Sequence, residues 1–393
     1  MAFSLVFYNA ILLLSTLFVW LSEKASTPMQ RKVCTLIAFL IVFLPAALRY
    51  EIGIDYFSYK IIFENIRDGL DPFWQSKMEP GYYFLNWVVA NLGLSFEWLV
   101  ALVAFFITLF FFIGYPKKKA YLWHFLIIAL FYFTSFNYLR SWLALSIAWF
   151  ALGKYFNNGR VLPVSALLLF SALFHKAAIL LLPFVLINNK FFIFNQRVFT
   201  TLSLVLIGMV FVFKAQVIGF LFNNAVSDLL GFSRYANSAW NRPTELGSGM
   251  GVLVKILFLI TPLFYIKRMR LSGHQKRFFI MFLAASAAFL LLSSIVDIFN
   301  RVEKVFAYGF LLSFMLYVTQ RTIKFRAAFI IGFLFLVIYD FNGYILRGST
   351  DYRETCRGAR ITPYVSVFNK VDSKRDPHLT RYAHWCDAYF ENK

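Results

Sequence analysis

Charged residues are scarce in this chain. Asp, Glu, Lys and Arg make up 15% of the 393 residues, whereas ordinary soluble proteins carry about 25%. Apolar residues dominate instead: 60% of the chain is hydrophobic and 20% is aromatic, with 50 Phe. One aqueous core of this length cannot cover so much apolar side chain, so lipid must solvate much of it. This composition excludes a soluble enzyme, a disordered tail and a fibrous protein.

Several motifs that carry chemistry in other proteins are also missing. Only three cysteines occur, and Cys34 lies in an apolar run far from the other two, so there is no Cys-rich metal framework. The sequence contains no P-loop, GxGxxG or HExxH motif, so nothing in it suggests nucleotide binding or a catalytic metal. We therefore expect no cofactor. A secretory signal with a cleavage site is absent too, so the first apolar run should remain as a helix.

Basic residues outnumber acidic ones by 39 to 19, which gives a net charge of +20. Such an excess is typical of nucleic-acid-binding proteins, but here the basic residues lie in short loops between apolar runs and form no continuous stripe. We therefore expect no nucleic-acid partner. Basic loops between apolar runs indicate instead how a chain is oriented in a lipid bilayer.

Ten apolar runs are long enough to cross, or nearly cross, about 30 Å of hydrocarbon. They span residues 3–21, 33–50, 96–115, 121–137, 142–156, 198–213, 250–266, 278–298, 302–319 and 327–346. Two further segments are ambiguous. Residues 81–94 are few for one crossing, and residues 161–187 are too many for one crossing and barely enough for two.

The loops separate by charge only if residues 161–187 form a hairpin. With a single crossing, the basic cluster at 267–277 would lie outside, against the bias that keeps such loops cytoplasmic. The sequence thus predicts an all-α polytopic membrane protein with about twelve transmembrane helices and both termini outside the cytoplasm. The cytoplasmic loops then carry one acid, Glu23, and eighteen basic residues: Lys24, Arg31, Lys32, Lys117, Lys118, Lys119, Lys154, Arg160, Lys190, Arg197, Lys267, Arg268, Arg270, Lys276, Arg277, Arg321, Lys324 and Arg326.

The opposite side receives an extracytoplasmic loop after the second helix and the C-terminal tail. We predict one polytopic membrane domain, residues 1–346, followed by an extracytoplasmic tail, residues 347–393. The tail carries Cys356 and Cys386, and a disulfide between them would suit an oxidising compartment. Two unpaired thiols are the alternative, because cysteine content alone does not establish a bond.

Ionisable residues inside or at the edge of a membrane are costly unless they face a cavity or a partner, so each is a functional candidate. Arg49 ends the second predicted helix, and its planar fork of donors suits a phosphate. Asp55 is placed to orient Arg49 or to accept a proton, with Tyr56 and Tyr59 beside it. In the structural alternative, Arg49 snorkels to the interface and pairs with Glu51 or Asp55.

His175 is the best candidate for a general base. It lies with Lys176 at the predicted tip of the hairpin, and the ordinary pKa of histidine suits proton transfer near neutral pH. Glu79 precedes Pro80 at the start of the short apolar segment, and Arg140 lies in a predicted external turn. Each has a structural alternative: core packing for His175, a charge partner at a helix N-terminus for Glu79, and a surface position for Arg140.

Two further segments bring charge to the predicted external side. Arg234 and Tyr235 lie in the first, and Arg301 and Glu303 lie in the second. Arg and Glu beside a bilayer suit an oligosaccharide carried on a lipid phosphate, and aromatic rings can stack on sugars. In the structural alternative, Asp297 neutralises Arg301 four residues later, and most aromatic side chains pack or face lipid.

The order of these motifs resembles the EpsG family of polysaccharide polymerases, which are related to the Wzy polymerases of O-antigen and capsule repeat units. One departure is Ser141, where relatives usually carry Gln, and the tail beyond Phe368 lies outside the pattern. The matching motifs are R-x-x-x-G-x-D-Y-x-x-Y at 49–59, E-P-G-Y-Y-F-L at 79–85, Y-L-R-S-W-L-A at 138–144, A-L-F-H-K-A-A at 172–178, S-R-Y at 233–235, N-R-V-E-K-V at 300–305 and T-P-Y-V-S-V-F at 362–368.

The resemblance implies a glycosyltransferase that moves a growing glycan from undecaprenyl pyrophosphate to the non-reducing end of another lipid-linked repeat unit. It would act at the periplasmic face of a bacterial inner membrane, next to a flippase and a chain-length regulator. On this basis we assign His175 as the base, with Asp55 and Glu79 as alternatives. Substrate binding is assigned to Arg49, Arg140, Arg301, Tyr56, Tyr59, Lys176, Arg234, Tyr235, Glu303 and Tyr364.

A flippase for the same lipid-linked oligosaccharide is the alternative function. Transporters tend to show repeated halves and charges reachable from both faces. Here the halves do not repeat, and the charges outside the basic loops crowd one predicted face, which favours an enzyme. A membrane acyltransferase would also use a histidine, but it would need an acyl donor from the cytoplasm, where this chain has only basic loops.

Overall fold

The structure, a computed structural model, describes residues 2–70, 78–187, 250–294, 299–348 and 361–370, with a few single positions between 201 and 216. In these ranges every regular element is a helix, and a single isolated β-bridge joins Arg49 to Ser366. The chain divides into two compact units. The first contains Met1–Phe150, Phe170–His175 and Val337–Lys393, and the second contains Ala151–Leu169 and Lys176–Leu336.

In the first unit, α1 packs against α2 and α6, and α2 packs against α5. The shorter α3 and α4 contact each other and α5. Both of the later helices α7 and α14 contribute part of their length to this unit. The bounds are α1 (Ala2–Lys24), α2 (Pro28–Ala47), α3 (Tyr56–Arg67), α4 (Pro80–Asn91), α5 (Phe96–Gly114), α6 (Ala120–Asn137), α7 (Leu139–Asn158) and α14 (Arg326–Leu346).

The second unit packs α10 against α11 and α13, and α11 against α12. Proline at position 262 lies inside α10 and has no N–H to donate to the carbonyl of Phe258. Ser313 Oγ and Tyr317 OH donate to that carbonyl instead, at 2.7 and 3.2 Å, so α13 satisfies the gap in α10. The bounds are α8 (Val161–Ala172), a 3₁₀ helix (Lys176–Leu181), α9 (Leu182–Leu186), α10 (Met250–Tyr265), α11 (Gly273–Ser293), α12 (Phe299–Phe306) and α13 (Tyr308–Thr319).

Within the residues that the structure describes, seven of the ten long apolar runs coincide with helices long and apolar enough to cross a membrane. The predicted class, a helical membrane protein, is therefore confirmed, while the number of about twelve crossings and the side of each loop stay predictions. Residues 161–187 contain a break, because α8 ends at Ala172 and a 3₁₀ helix begins at Lys176. The seven segments are Ala2–Lys24, Pro28–Ala47, Phe96–Gly114, Ala120–Asn137, Gly273–Ser293, Phe299–Thr319 and Arg326–Leu346.

Candidate functional site

The first unit gathers three ionisable side chains that are far apart in sequence. Glu79 Oε2 accepts a hydrogen bond from Arg140 Nη1 at 2.7 Å, and Glu79 Oε1 lies 3.2 Å from His175 Nδ1. The carboxylate is the buried member, since the side chain of Glu79 is 7% exposed while those of Arg140 and His175 are 26% and 20% exposed. A buried carboxylate therefore connects an arginine and a histidine that both retain access to the surface.

Each of these side chains lies at the start or the end of a helix. Glu79 immediately precedes α4, Arg140 lies in the first turn of α7, and His175 follows the end of α8. At that end, the amides of Phe174 and His175 both donate to the carbonyl of Ser171, so the α-helical pattern stops just before the histidine. Irregular backbone at membrane depth is tolerated where it is buried in protein or lines a cavity, which is where functional side chains concentrate.

Gly81 sets the approach between two of these segments. Its amide donates to the carbonyl of Leu173 at 2.8 Å, which ties the start of α4 to the turn that carries His175. A Cβ at position 81 would lie 2.9 Å from the same carbonyl oxygen, closer than side chains approach in folded proteins. The glycine of the E-P-G motif is therefore the residue that lets Glu79 and His175 meet. Sequence analysis did not single it out.

The electrostatics of Glu79 follow from its two partners. Burial by itself raises the pKa of this carboxyl, but the hydrogen bond with His175 and the charge of Arg140 outweigh it and lower the pKa to about 2. An ionised carboxylate only accepts hydrogen bonds, so Nδ1 of His175 must carry the proton. In the neutral imidazole, Nε2 is then the nitrogen that can accept a proton from a substrate.

Glu79 was also a candidate for a charge partner at a helix N-terminus. It does occupy the residue before α4, but its side chain makes no capping hydrogen bond there. The carboxylate is directed to Arg140 and His175 instead. Its environment therefore favours a role in this cluster over a role in the helix end.

Arg49 has a different environment. The residue is 1% exposed, and its guanidinium lies 4.7 Å from the ring centre of Phe136 and donates from Nη1 to the carbonyl of Ala46. Nε and Nη2 have no hydrogen-bond partner, and no described carboxylate pairs with the side chain. The interfacial ion pair with Glu51 or Asp55 is therefore not formed. Burial lowers the pKa of Arg49 to about 10, so the group stays charged near neutral pH.

The cavity beside Arg49 is small. It measures about 20 Å³, which is room for roughly one water molecule. Ligand pockets are typically about 300–1,000 Å³. This cavity is therefore far smaller than a typical ligand pocket, and the assignment of Arg49 to the diphosphate stays a prediction. The cavity is lined by Val42, Ala46, Arg49, Ala104, Ile107, Thr108, Phe111, Ile127, Ile128, Tyr132, Ser135 and Leu139.

A short C-terminal segment, residues 361–370, closes the surroundings of Arg49. The amide of Tyr50 donates to Val365 O at 3.0 Å, and that of Val367 donates to Leu48 O at 2.9 Å, which forms the bridge beside Arg49. The hydroxyl of Tyr364 donates to Pro45 O at 3.0 Å. Tyr364 thus anchors the segment to the end of α2, and burial raises the pKa of its hydroxyl to about 12.

Asp55, Tyr56 and Tyr59 lie near the start of α3, and the two tyrosines are buried. Tyr56 packs edge-on against Phe96 with ring centres 5.1 Å apart, and Tyr59 packs against Tyr82 at 5.9 Å. Asp55 occupies the position before α3 without a side-chain cap. These contacts give both tyrosines a packing role in this conformation.

The loop before Asp55 depends on a glycine and an asparagine. Gly53 has φ +105°, and a Cβ there would lie 2.7 Å from the carbonyl oxygen of Phe136. The next amide, of Ile54, donates to Asn137 Oδ1 at 2.7 Å, and Asn137 Nδ2 donates to Tyr344 OH at 3.0 Å. Asn137 thus joins this loop to the ends of α6 and α14, a role that sequence analysis did not assign.

The remaining predicted residues belong to the second unit or lie outside the described residues. Lys176 begins the 3₁₀ helix of the second unit, and Arg301 and Glu303 lie on α12 of that unit. Arg234, Tyr235, Cys356 and Cys386 lie outside the described residues. Among the residues that the structure describes, no three His, Cys, Asp or Glu side chains come together as metal ligands.

Comparison with known proteins agrees with the motif pattern. The sequence model of the EpsG family matches residues 32–366, more than four fifths of the chain. No curated protein and no solved structure matches it. The match includes the cluster of Glu79, Arg140 and His175 as well as the buried Arg49. This chain is therefore a member of the EpsG family.

Proposed function

We propose that this protein is a membrane glycosyltransferase that polymerises glycan repeat units carried on undecaprenyl pyrophosphate, with His175 as the general base. The observation that carries the proposal is the 3.2 Å contact between His175 Nδ1 and the buried carboxylate of Glu79, whose other oxygen binds Arg140. Family membership supports a role in glycan polymerisation at a membrane. The geometry supports a base whose orientation and tautomer are set by a carboxylate.

In the proposed reaction, His175 Nε2 accepts the proton of an acceptor hydroxyl. The oxygen of that hydroxyl forms a bond to the anomeric carbon of the donor glycan, and the bond from that carbon to the pyrophosphate oxygen breaks. Undecaprenyl pyrophosphate leaves with the bonding electron pair. Arg140 is partly exposed beside the base, and its guanidinium suits the charge that develops on the departing diphosphate.

Glu79 is a less suitable general base than His175. A general base works best when its pKa is near the operating pH, and the pKa of Glu79 is lowered to about 2. Its carboxylate instead holds His175 and stabilises the imidazolium that forms when the ring takes up a proton. Glu79 is thus proposed as a positioning residue. Asp55, the other alternative base, precedes α3, and Asp55→Asn in the assay below tests it directly.

Reconstitution tests the proposal. The purified protein in lipid vesicles would receive a synthetic undecaprenyl-pyrophosphate-linked repeat unit, without nucleotide and with EDTA, and products would be sized on a gel. We expect a ladder that is lost in His175→Ala and in Glu79→Gln. The matched control is His274→Ala, the same substitution at a histidine of the second unit, which should keep the ladder. A normal ladder from folded His175→Ala would rule out His175 as the base.

The flippase alternative has its own outcome in this assay. Folded wild-type protein would give no ladder across several repeat units, but it would move the lipid-linked oligosaccharide across the vesicle membrane. Access of the headgroup to an enzyme added outside sealed vesicles measures that movement. A ladder without translocation favours the polymerase, and translocation without a ladder favours the flippase.

A further inference from the structure

Three loops of the second unit meet at one end of its helices and form a basic surface. They are residues 154–160, the last turn of α7 and the link to α8; residues 267–277, the link from α10 and the first turn of α11; and residues 320–326, the link from α13 to the first residue of α14. None of them contains Asp or Glu. Their ten cationic residues are Lys154, Arg160, Lys267, Arg268, Arg270, Lys276, Arg277, Arg321, Lys324 and Arg326.

Hydrogen bonds join the three loops into this surface. Gln275 Nε2 donates to Phe156 O at 3.1 Å, which connects the second loop to the first. The amide of Arg270 donates to Gln320 Oε1 at 3.3 Å, which connects the second loop to the third. The cationic residues of three separate connections are therefore close in space, and their mutual repulsion is not relieved by any acid of the three loops.

Each loop also has an exposed apolar side chain next to it or within it. Leu162 follows the first loop, Phe264 precedes the second and Phe325 lies within the third, and they are 82%, 65% and 79% exposed. Phe325 has a left-handed backbone, with φ +55°, which is unusual for an aromatic residue. A surface that alternates cations with exposed apolar groups matches a molecule that has an anionic head and an apolar tail.

In the first unit, a basic loop is in contact with a carboxylate of the chain. There, Glu23 accepts hydrogen bonds from the amides of Lys119 and Ala120 at 2.8 and 3.1 Å, so a carboxylate of the chain neutralises the start of α6. In the second unit, α11 and α14 also begin at basic loops, but none of the three loops there contains an acid that could make such a contact. An excess of Lys and Arg alone marks the cytoplasmic side of any membrane protein. The missing acid and the exposed apolar residues indicate more than orientation.

We propose that this basic surface binds the phosphodiester headgroup of an anionic phospholipid, with Leu162, Phe264 and Phe325 against the acyl chains. Juxtamembrane Lys and Arg attract anionic lipid headgroups. The attraction is electrostatic at the headgroup, so it weakens when salt screens the charges. The lipid supplies the negative charge that the three loops lack.

Lipid titration of the full-length protein in neutral detergent tests the proposal, with binding followed by native mass spectrometry and by the thermal unfolding midpoint. The probes are cardiolipin, phosphatidylglycerol, phosphatidylcholine and inorganic phosphate. We expect the two anionic lipids to bind roughly tenfold more tightly than phosphatidylcholine, and this preference to disappear at about 0.5 M NaCl. Equal binding of anionic and zwitterionic lipid would overturn the proposal, as would equal protection by inorganic phosphate.

Two matched triple variants locate the site. Arg268→Gln, Arg270→Gln and Arg321→Gln together should weaken anionic lipid binding roughly tenfold or more. Arg31→Gln, Lys32→Gln and Lys118→Gln together remove the same charge from exposed positions of the first unit and should have less than about a twofold effect. Equal losses in both triples would show a general charge effect and overturn the assignment. The salt titration of the wild-type protein tests the proposal even if a variant folds poorly.

Discussion

Arg49 and Arg140 were assigned the same task by the sequence, but the first unit places them in opposite surroundings. Arg140 is 26% exposed and pairs with Glu79, which also contacts His175. Arg49 is 1% exposed, lacks a described carboxylate partner, and has an aromatic ring, a carbonyl and a one-water cavity around it. The difference separates an arginine that retains access to the surface from one that is enclosed by the fold.

Burial decides which role each arginine can have. A charge removed from water must be compensated, and an arginine that is already compensated by a carboxylate at the surface of a cluster can still meet a substrate. An arginine enclosed by Phe136, Tyr364 and the C-terminal segment has to displace these groups first. Substitutions at the two sites should therefore affect different observables.

The largest effect is expected at Arg140. Arg140→Ala should lower the polymerisation rate roughly 100-fold or more. The substitution removes the positive charge that pairs with Glu79, so the carboxylate no longer holds His175 in position. Arg140→Lys keeps the charge but not the planar fork and should lose less. Ladder formation in reconstituted vesicles measures both variants. A normal rate in folded Arg140→Ala would show that Arg140 takes no part in the reaction.

At Arg49 the effect should appear in stability. Arg49→Ala should lower the free energy of unfolding by roughly 3 kcal/mol, since it leaves a cavity among buried side chains. Arg49→Met fills most of that volume without a charge and should cost less. Thermal unfolding in detergent gives the values, with Arg347→Ala at an exposed position as control. If Arg49→Met folded normally but made no polymer, Arg49 would have a direct role after all.

The pH dependence of stability distinguishes the two sites again. Folding lowers the pKa of Glu79 from 4.5 to about 2, so its contribution is present above about pH 4.5 and is lost as the pH falls towards 2. The full contribution of Glu79 to the free energy of unfolding is roughly 3 kcal/mol. Unfolding midpoints of the wild type and Glu79→Gln, measured from pH 6 down to pH 2, should converge as the pH approaches 2. The same series in Arg49→Met should run parallel to the wild type, because Arg49 does not titrate there.

Gly81→Ala should have a smaller effect that is specific to the cluster. The new Cβ would force Leu173 and the start of α4 apart and cost roughly 1–3 kcal/mol of stability. It should also lengthen the contact between Glu79 and His175, which would appear as a changed histidine ¹⁵N shift and a changed pH profile of polymerisation. Gly332→Ala, at a helix position with nothing within 4 Å, should change neither. A stable variant with an unchanged ¹⁵N shift would contradict the role of Gly81.

The candidate site was partly readable from the sequence. Glu79, Arg140 and His175 each stood out because ionisable groups are costly in apolar surroundings. Their association was not readable, since Glu79 is 61 residues from Arg140 and 96 from His175. Gly81 lay inside a recognised motif, but the need for glycine there was not readable. A Cβ at this position would lie 2.9 Å from the carbonyl oxygen of Leu173, which is distant in sequence. The burial of Arg49, Tyr56 and Tyr59 was likewise unreadable, because it depends on which helices pack together.

That this protein is a helical membrane protein of the EpsG family can be read from the amino-acid sequence, because composition, apolar run length and ordered motifs are local properties of a chain. The position of Glu79 between Arg140 and His175, and the burial of Arg49 beside the segment 361–370, follow from the packing of the folded chain. Side chains of the same chemical type differ in function according to the water and the charges that folding leaves around them, and those are set by contacts between distant parts of the chain.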